Sequence, residues 1–296
     1  MYQRTPIWVM PKLDVRFPSA VRALFRRIPL TQRAVRAASD VFMEILMVIA
    51  MWKYRNFHWL NRFAEAVANA HRFASIRDKT VRRKLAPNYD YGCKRPTVSN
   101  RYYRAFDRPN VRLETAGIDR IDADGIVGAD GTRRSVDTLV LATGFDVWES
   151  NLPAIEIVGR DGRNLGKWWR DGRFCAYQGI TVPGFPNFLS AVSPYAWVGM
   201  SWFSTVECLM RHMERLFGEL HRQGADTFEV TEEANEKFLD RVTGLLDDSV
   251  FALGSCVGSR SYWFSPTGET PLFRPTSVRD AVRDQRIFPL TDYRFD

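Results

Sequence analysis

No stretch of this 296-residue chain reads G-x-G-x-x-G. Gly125, Gly128 and Gly131 are spaced three apart between charged residues, and Gly159, Gly162 and Gly166 have the wrong spacing with no helix signal behind them. A loop of that pattern seats a dinucleotide pyrophosphate on a helix N-terminus, so the chain encodes no such seat. Cysteine is scarce. Cys93, Cys175, Cys208 and Cys256 form no C-x-x-C pair, which suggests neither a disulfide framework nor a zinc site and fits a reducing compartment, with a cytoplasmic location expected. His58, His71, His212 and His221 lack H-E-x-x-H or similar ligand spacing, and no G-x-S-x-G elbow exists, which sets aside metal-dependent and serine hydrolysis. The opening Met1-Tyr2-Gln3-Arg4-Thr5-Pro6 lacks the pattern of a signal peptide, so export is not expected. Residues 41–52 form an apolar run that contains Glu44 and falls short of the roughly twenty residues needed to cross a bilayer. With Asp40, Lys53 and Arg55 on its flanks, it reads as a buried helix in preference to an interfacial one.

What is present begins with charge. The net charge is +8 and arginine supplies the excess, which suits a nucleic acid, an anionic membrane surface or an anionic cofactor. No RNP pattern, paired zinc ligands or basic helix joined to heptads occurs, so nucleic-acid binding is set aside. With 45% hydrophobic and 26% charged residues the chain can bury a core. From residue 20 to about 84 the apolar spacing is helical, with little Gly or Pro. Between 102 and 146 the pattern shifts to short strands at 111–114, 117–121, 125–127 and 138–141, with Asp124-Gly125 and Asp130-Gly131 as turns. Asp122 and Asp124 lack the later ligands of a calcium loop and read as hairpin residues. Residues 188–192 follow the rigid turn Pro183-Gly184-Phe185-Pro186-Asn187 and read as a buried strand. Helices are expected from Ser201 to Gln223 and from the N-cap Thr231 to Leu246, and a loop-like tail from Cys256.

Several motifs, in order, carry chemistry. Arg4 and Thr5 supply a forked cation and a hydroxyl suited to a phosphate. Gly92-Cys93-Lys94-Arg95-Pro96 places two adjacent cations before a proline that fixes the turn. Thr138 to Leu141 runs into Ala142-Thr143-Gly144, where a Thr-Gly turn admits close approach of a cofactor to the backbone. Gly159-Arg160-Asp161-Gly162, Leu165, Trp168, Tyr177, Gly179-Ile180 and Pro183-Gly184-Phe185-Pro186-Asn187 follow, then Ser261-Tyr262-Trp263 and Asp292-Tyr293.

In order and spacing this series resembles the C-terminal portion of flavin-dependent, NADPH-using monooxygenases of the Baeyer–Villiger and flavin-containing type, over essentially the whole chain. The resemblance implies a partial two-dinucleotide-binding, Rossmann-like α/β flavoprotein fold with a helical insertion at about 20–84 and a small β-meander. Residues 1–141 then correspond to the remainder of an NADP-binding domain and 142–296 to the C-terminal portion of an FAD-binding domain. It implies FAD and NADP as cofactors. Arg4, Thr5 and Lys94 meet the NADP 2′-phosphate, and Thr143, Gly144, Met200 and Ser201 border the flavin. A helix N-terminus near Ser201 favours the anionic edge of reduced flavin. Arg95 is the implied catalytic residue, a permanent cation offsetting the charge of an oxygen adduct of reduced flavin. Trp197, Met200 and Trp202 read either as core or as substrate lining. The small-molecule substrate and O2 are implied partners.

Motifs without their glycine-rich loops leave three readings. The chain is the C-terminal part of an oxygenase completed by a complementary N-terminal chain; or it is a catalytically silent relic or binding module; or, on composition alone, it is a basic peripheral membrane protein.

Overall fold

The computed structural model describes the chain except Val15, Gly199, Met200, Ser201 and Gly258; of Met47, Val48, Ile49 and Val257 only the backbone is described. The elements in chain order are β1 (Val9–Met10), α1 (Ser19–Arg27), α2 (Pro29–Met47), a π-helical turn (Val48–Trp52), α3 (Tyr54–Ser75), α4 (Lys79–Lys84) and β2 (Thr97–Val98). Next come β3 (Ile118–Asp122), β4 (Gly125–Gly128), β5 (Arg133–Ser135), α5 (Leu165–Asp171), α6 (Trp202–Gln223) and β6 (Phe228–Val230). The chain ends with α7 (Glu232–Leu246), α8 (Gly254–Val257), α9 (Val278–Ile287) and β7 (Tyr293–Phe295). They divide between two compact units, one of residues 1–16, 58–145 and 253–261, the other of 17–57, 146–252 and 262–296. The boundary within α3 falls at Phe57, whose backbone leaves the helical region (φ −127°, ψ 27°).

In the first unit, residues 1–10 have parallel neighbours. Tyr2 bridges Glu114, and β1 pairs with β2 in the register Val9 to Thr97. Val9, Ile76, Leu85, Tyr103, Phe106 and Leu113 close the core around them. The meander is β3-β4-β5, antiparallel throughout. Gly125 is obligatory at its hairpin. Its φ is +152°, and a Cβ there would lie 2.0 Å from the Arg134 carbonyl oxygen. Asp122 and Asp124 are hairpin residues that share the Arg133 guanidinium at 2.9 and 3.2 Å.

Two strand expectations in this region are corrected. Residues 111–114 make only the single bridge at Glu114. Residues 138–141 form no strand, and Val140 and Leu141 are 81% and 72% exposed. A segment becomes a strand only when neighbours accept its backbone hydrogen bonds, and no strand among the described residues pairs with this one.

The second unit is built on α6, α7 and α9 with the β6-β7 pair. Thr231 caps α7 by accepting from Ala234 N, and the 183–187 turn is pinned by Glu229 and by Asn187, which exchanges hydrogen bonds with Phe228. Residues 188–192 are corrected from buried strand to partly exposed loop, and α9 and β7 emerge from the tail expected to be loop. The expectation of a buried helix at 41–52 is also corrected. Val41, Phe42, Ile45 and Leu46 are exposed, while Ala50, Met51 and Trp52 are buried, Trp52 against Phe251 and Phe273.

A buried polar network crosses this unit. Arg274, wholly buried, donates to Asp284 Oδ2 at 2.6 Å and to Gln178 Oε1 at 2.7 Å, and Arg241 donates to the same Asp284 oxygen at 3.0 Å. His212 on α6 lies between Gln285 Oε1 (2.5 Å) and the Tyr293 hydroxyl (2.6 Å), which in turn meets Thr181 Oγ1 (2.7 Å). An amide oxygen only accepts, so Nδ1 carries the proton and Nε2 accepts from Tyr293. Burial first, then the Arg274 and Arg215 charges, hold the His212 pKa down to about 3, against the raising effect of Gln285. The unfolded chain therefore binds a proton that the folded chain excludes, and stability falls as pH drops from the ordinary histidine range toward 3. His212→Gln is expected to be less stable than the parent at neutral pH by about 1–3 kcal/mol, yet to lose less on acidification. Denaturant titrations at a series of acid pH values check this, and parallel slopes for parent and variant would remove His212 as the cause.

Candidate functional site

The two basic motifs meet because the strands that follow them are paired in parallel. Arg4 precedes β1 and Lys94 precedes β2, so both enter the pair from the same end. The loop before β2 is tied to the segment before β1 by side chains. Trp8 Nε1 donates to the Tyr89 carbonyl at 2.9 Å, and the Tyr89 hydroxyl donates to the Pro6 carbonyl at 2.8 Å. From α3, Asn61 donates to the Tyr91 carbonyl (2.9 Å), while Glu65 accepts from the Tyr91 amide (3.0 Å). Gly92, at φ +101°, then turns the chain through a left-handed conformation that a side chain would strain.

Lys94 is half-buried and its pKa is lowered, by burial first and then by the Arg4 charge. Two like charges are thus held close enough to sense one another. Neither has an ion-pair partner among the described residues. Such an arrangement is unfavourable by itself and is relieved by an anion, for which ammonium and guanidinium together are the usual phosphate donors. Thr5 is half-buried beside Arg4, and Arg95 is exposed on the next position of the loop.

The structure does not bring Thr143 and Gly144 against this pair. Both are exposed, Gly144 has φ +97°, and nothing packs over its α-carbon. Met200 and Ser201 lie outside the described residues. Trp197 stacks on Phe273 with ring centroids 5.1 Å apart and so belongs to packing, whereas Trp202 is exposed at the start of α6.

The feature that spacing concealed is a disulfide. Cys93 and Cys256, 163 residues apart, are bonded with Cα atoms 4.8 Å apart, and both are fully buried. This corrects the reading that the cysteines suggest no disulfide, since local spacing says nothing of partners joined by tertiary folding. Around the bond, Ser255 donates to Asp90, and the Ser259 hydroxyl donates to the Cys93 carbonyl at 3.4 Å. The residue before Lys94 is therefore covalently fixed to the 253–261 segment of the same unit. Cys175 and Cys208 are free and buried, each thiol pushed up to about 11 by burial.

With the site in place, the fold can be compared with known proteins. No protein-family model matches the chain. The structure superposes on closed cyclohexanone monooxygenase with a TM-score of 0.80 at 22% identity, over 100% of this chain and 62% of that one. It superposes on steroid monooxygenase bound to NADP with a TM-score of 0.79 at 22% identity, over 99% and 61%. The class is therefore the flavoprotein monooxygenase fold. By sequence, the chain is 32% identical over 297 residues to a Baeyer–Villiger monooxygenase of Streptomyces coelicolor, covering 99% of this chain and 55% of that protein. It is 31% identical over 267 residues to a Baeyer–Villiger monooxygenase of Pseudomonas aeruginosa, covering 90% and 49%. These homologues are Baeyer–Villiger monooxygenases, and the chain spans about half the length of the curated relatives it matches, as a C-terminal portion of such a protein would.

Opening the disulfide frees the unfolded chain and unpins the loop that carries Lys94. Cys256→Ala is expected to lower unfolding stability by about 2–4 kcal/mol and to raise amide exchange across residues 89–95. Denaturant titration and hydrogen exchange measure both, and unchanged exchange in the loop would show that the bond does not position it.

Proposed function

We propose that this chain is the NADP-gripping and C-terminal portion of an oxygenase that transfers one oxygen atom from O2 into a carbonyl or soft-heteroatom substrate, and that it works with a complementary N-terminal chain. The observation that carries this reading is the Arg4–Lys94 pair, a half-buried ammonium that senses the neighbouring guanidinium charge at one end of a parallel strand pair in a chain similar to Baeyer–Villiger monooxygenases. In this reading residues 1–141 are the remainder of the NADP-binding domain and residues 142–296 the C-terminal portion of the FAD-binding domain.

The two cofactors fit this chain differently. A phosphate of NADP suits the cation pair, with Lys94 and Arg4 as charged donors and the Thr5 hydroxyl beside them. When bound, the reduced nicotinamide supplies a hydride. The chain's own part is to hold the phosphate and so fix the direction in which the dinucleotide runs, an orienting role that lowers the entropy lost at reaction. FAD does not fit in the same sense, because the residues present include no pyrophosphate loop. Arg95, one residue beyond Lys94, is the proposed catalytic cation, its guanidinium offsetting the negative charge that develops during oxygen transfer.

The exposed segment 138–145 supports the complementary chain. Leu139, Val140, Leu141 and Phe145 form an apolar extended stretch that lacks only neighbours to become a strand. The competing reading, a silent relic, shares every one of these features and differs only in what happens on completion.

Calorimetry with NADP and NAD tests the phosphate site. NADP is expected to bind at least about tenfold tighter than NAD, and Lys94→Ala or Arg4→Ala to erase that preference. Equal affinities would remove the assignment. Co-expression with the N-terminal half of a relative tests the activity. There, Arg95→Ala is expected to keep NADPH consumption but to lower product formation by about a hundredfold. A reconstituted complex with bound flavin and no product at all would favour the relic.

A further inference from the structure

The α1–α2 hairpin presents an apolar face that nothing in its own unit covers. No residue of α1 is buried, and along α2 no described side chain is buried. In α2 the apolar residues Leu30, Ala34, Val35, Ala38, Val41, Phe42, Ile45 and Leu46 recur at spacings of three and four, which gathers them on one face. Leu30 is 70% exposed and Phe42 60%. The opposite face is the one that is held, since Glu44 accepts from the Arg279 amide of α9 at 3.4 Å. The base of the hairpin is anchored through the buried Trp52. An isolated helix of this length is marginal in water, and a contiguous exposed apolar face marks an interaction surface.

The charge pattern identifies what the face meets. Between Asp14 and Asp40 there are six arginines, Arg16, Arg22, Arg26, Arg27, Arg33 and Arg36, and no acidic residue. In α1, Ala20 and Leu24 share one side with Val21 and Phe25, while Arg22 and Arg26 lie on the other. Apolar faces bordered by arginine along two successive helices are the pattern of helices that lie in a membrane interface. A crossing is excluded for the described residues, as no helix is long and apolar enough to span a bilayer.

We propose that the α1–α2 hairpin docks this protein on an anionic lipid surface, with the α2 apolar face sunk at the headgroup boundary and the arginines meeting lipid phosphates. The proposal does not rest on the oxygenase reading. Each arginine near an anionic leaflet contributes on the order of 1 kcal/mol of attraction, which is screened within a Debye length by salt.

The test is co-sedimentation of the purified full chain with vesicles of phosphatidylcholine alone or mixed with phosphatidylglycerol. Binding to the mixed vesicles only, weakened by salt, is the expected result. The double variant Arg22→Glu with Arg26→Glu is expected to lower the partition coefficient by about tenfold or more. Phe42→Asp is expected to abolish binding while leaving circular dichroism and the denaturant midpoint unchanged, which separates loss of docking from loss of fold. Absence of binding, equal binding to both vesicles, or binding indifferent to Phe42→Asp would each overturn the proposal. So would self-association without vesicle binding that Phe42→Asp disrupts, because the face would then belong to a second copy.

Discussion

A charged arginine can remain in a protein interior only if a carboxylate and further acceptors replace the water it has lost, and Arg274 organises the larger unit on that condition. Its two anchors, Asp284 on α9 and Gln178 in the loop after α5, come from segments more than a hundred residues apart in the chain. Gln285 carries the same network to His212 on α6 and thence to Tyr293 on β7. Removing any one partner would strand a buried polar group. The elements that surround the 183–187 turn are therefore held by complementary polar pairing as well as by the apolar core of Phe228, Phe238, Val242 and Phe288.

A different constraint governs the smaller unit. Backbone groups of a parallel strand need neighbours, and here residues 1–10 find them while residues 138–145 do not. The cations follow the same logic. Arg4 and Lys94 are brought together by β1–β2 pairing, and the Cys93–Cys256 bond adds a covalent restraint next to Lys94. The result is a loop braced from one side by Trp8, Tyr89, Asn61 and Glu65 and from the other by Ser255 and Ser259, with Lys94 half-buried at its end.

Where function was legible in the sequence, the signal was local. Thr231 before an acidic first turn marked the start of α7, and the Gly125 and Gly131 turns marked the meander, because capping and positive φ are properties of one or two residues. The order of Gly159, Trp168, Tyr177 and Pro183-Gly184-Phe185-Pro186 carried the family. The structure gives it meaning, since a Cβ on Gly159 would sit 2.2 Å from the Gly184 carbonyl oxygen. What was missed depended on distant partners. β7 is three residues whose only credential is β6, α9 is a polar helix whose buried Asp284 and Gln285 look like surface residues in isolation, and Cys93 gives no hint of Cys256. The run at 41–52 was misjudged for a related reason. Periodicity reveals that a helix has an apolar face and is silent on whether anything covers it.

By itself, then, the chain's sequence determined the family resemblance, the helical insertion, the meander, the cation motifs and the absence of a pyrophosphate loop, all of which are written in residue type and short spacing. Only the tertiary structure decided that Arg4 lies near enough to Lys94 to lower its pKa, that Cys93 is bonded, that His212 is buried neutral, and that α2 turns its apolar face outward. These are outcomes of pairing between segments far apart in sequence, and the energy of such pairing depends on which neighbours are present, not on the residues of either segment alone.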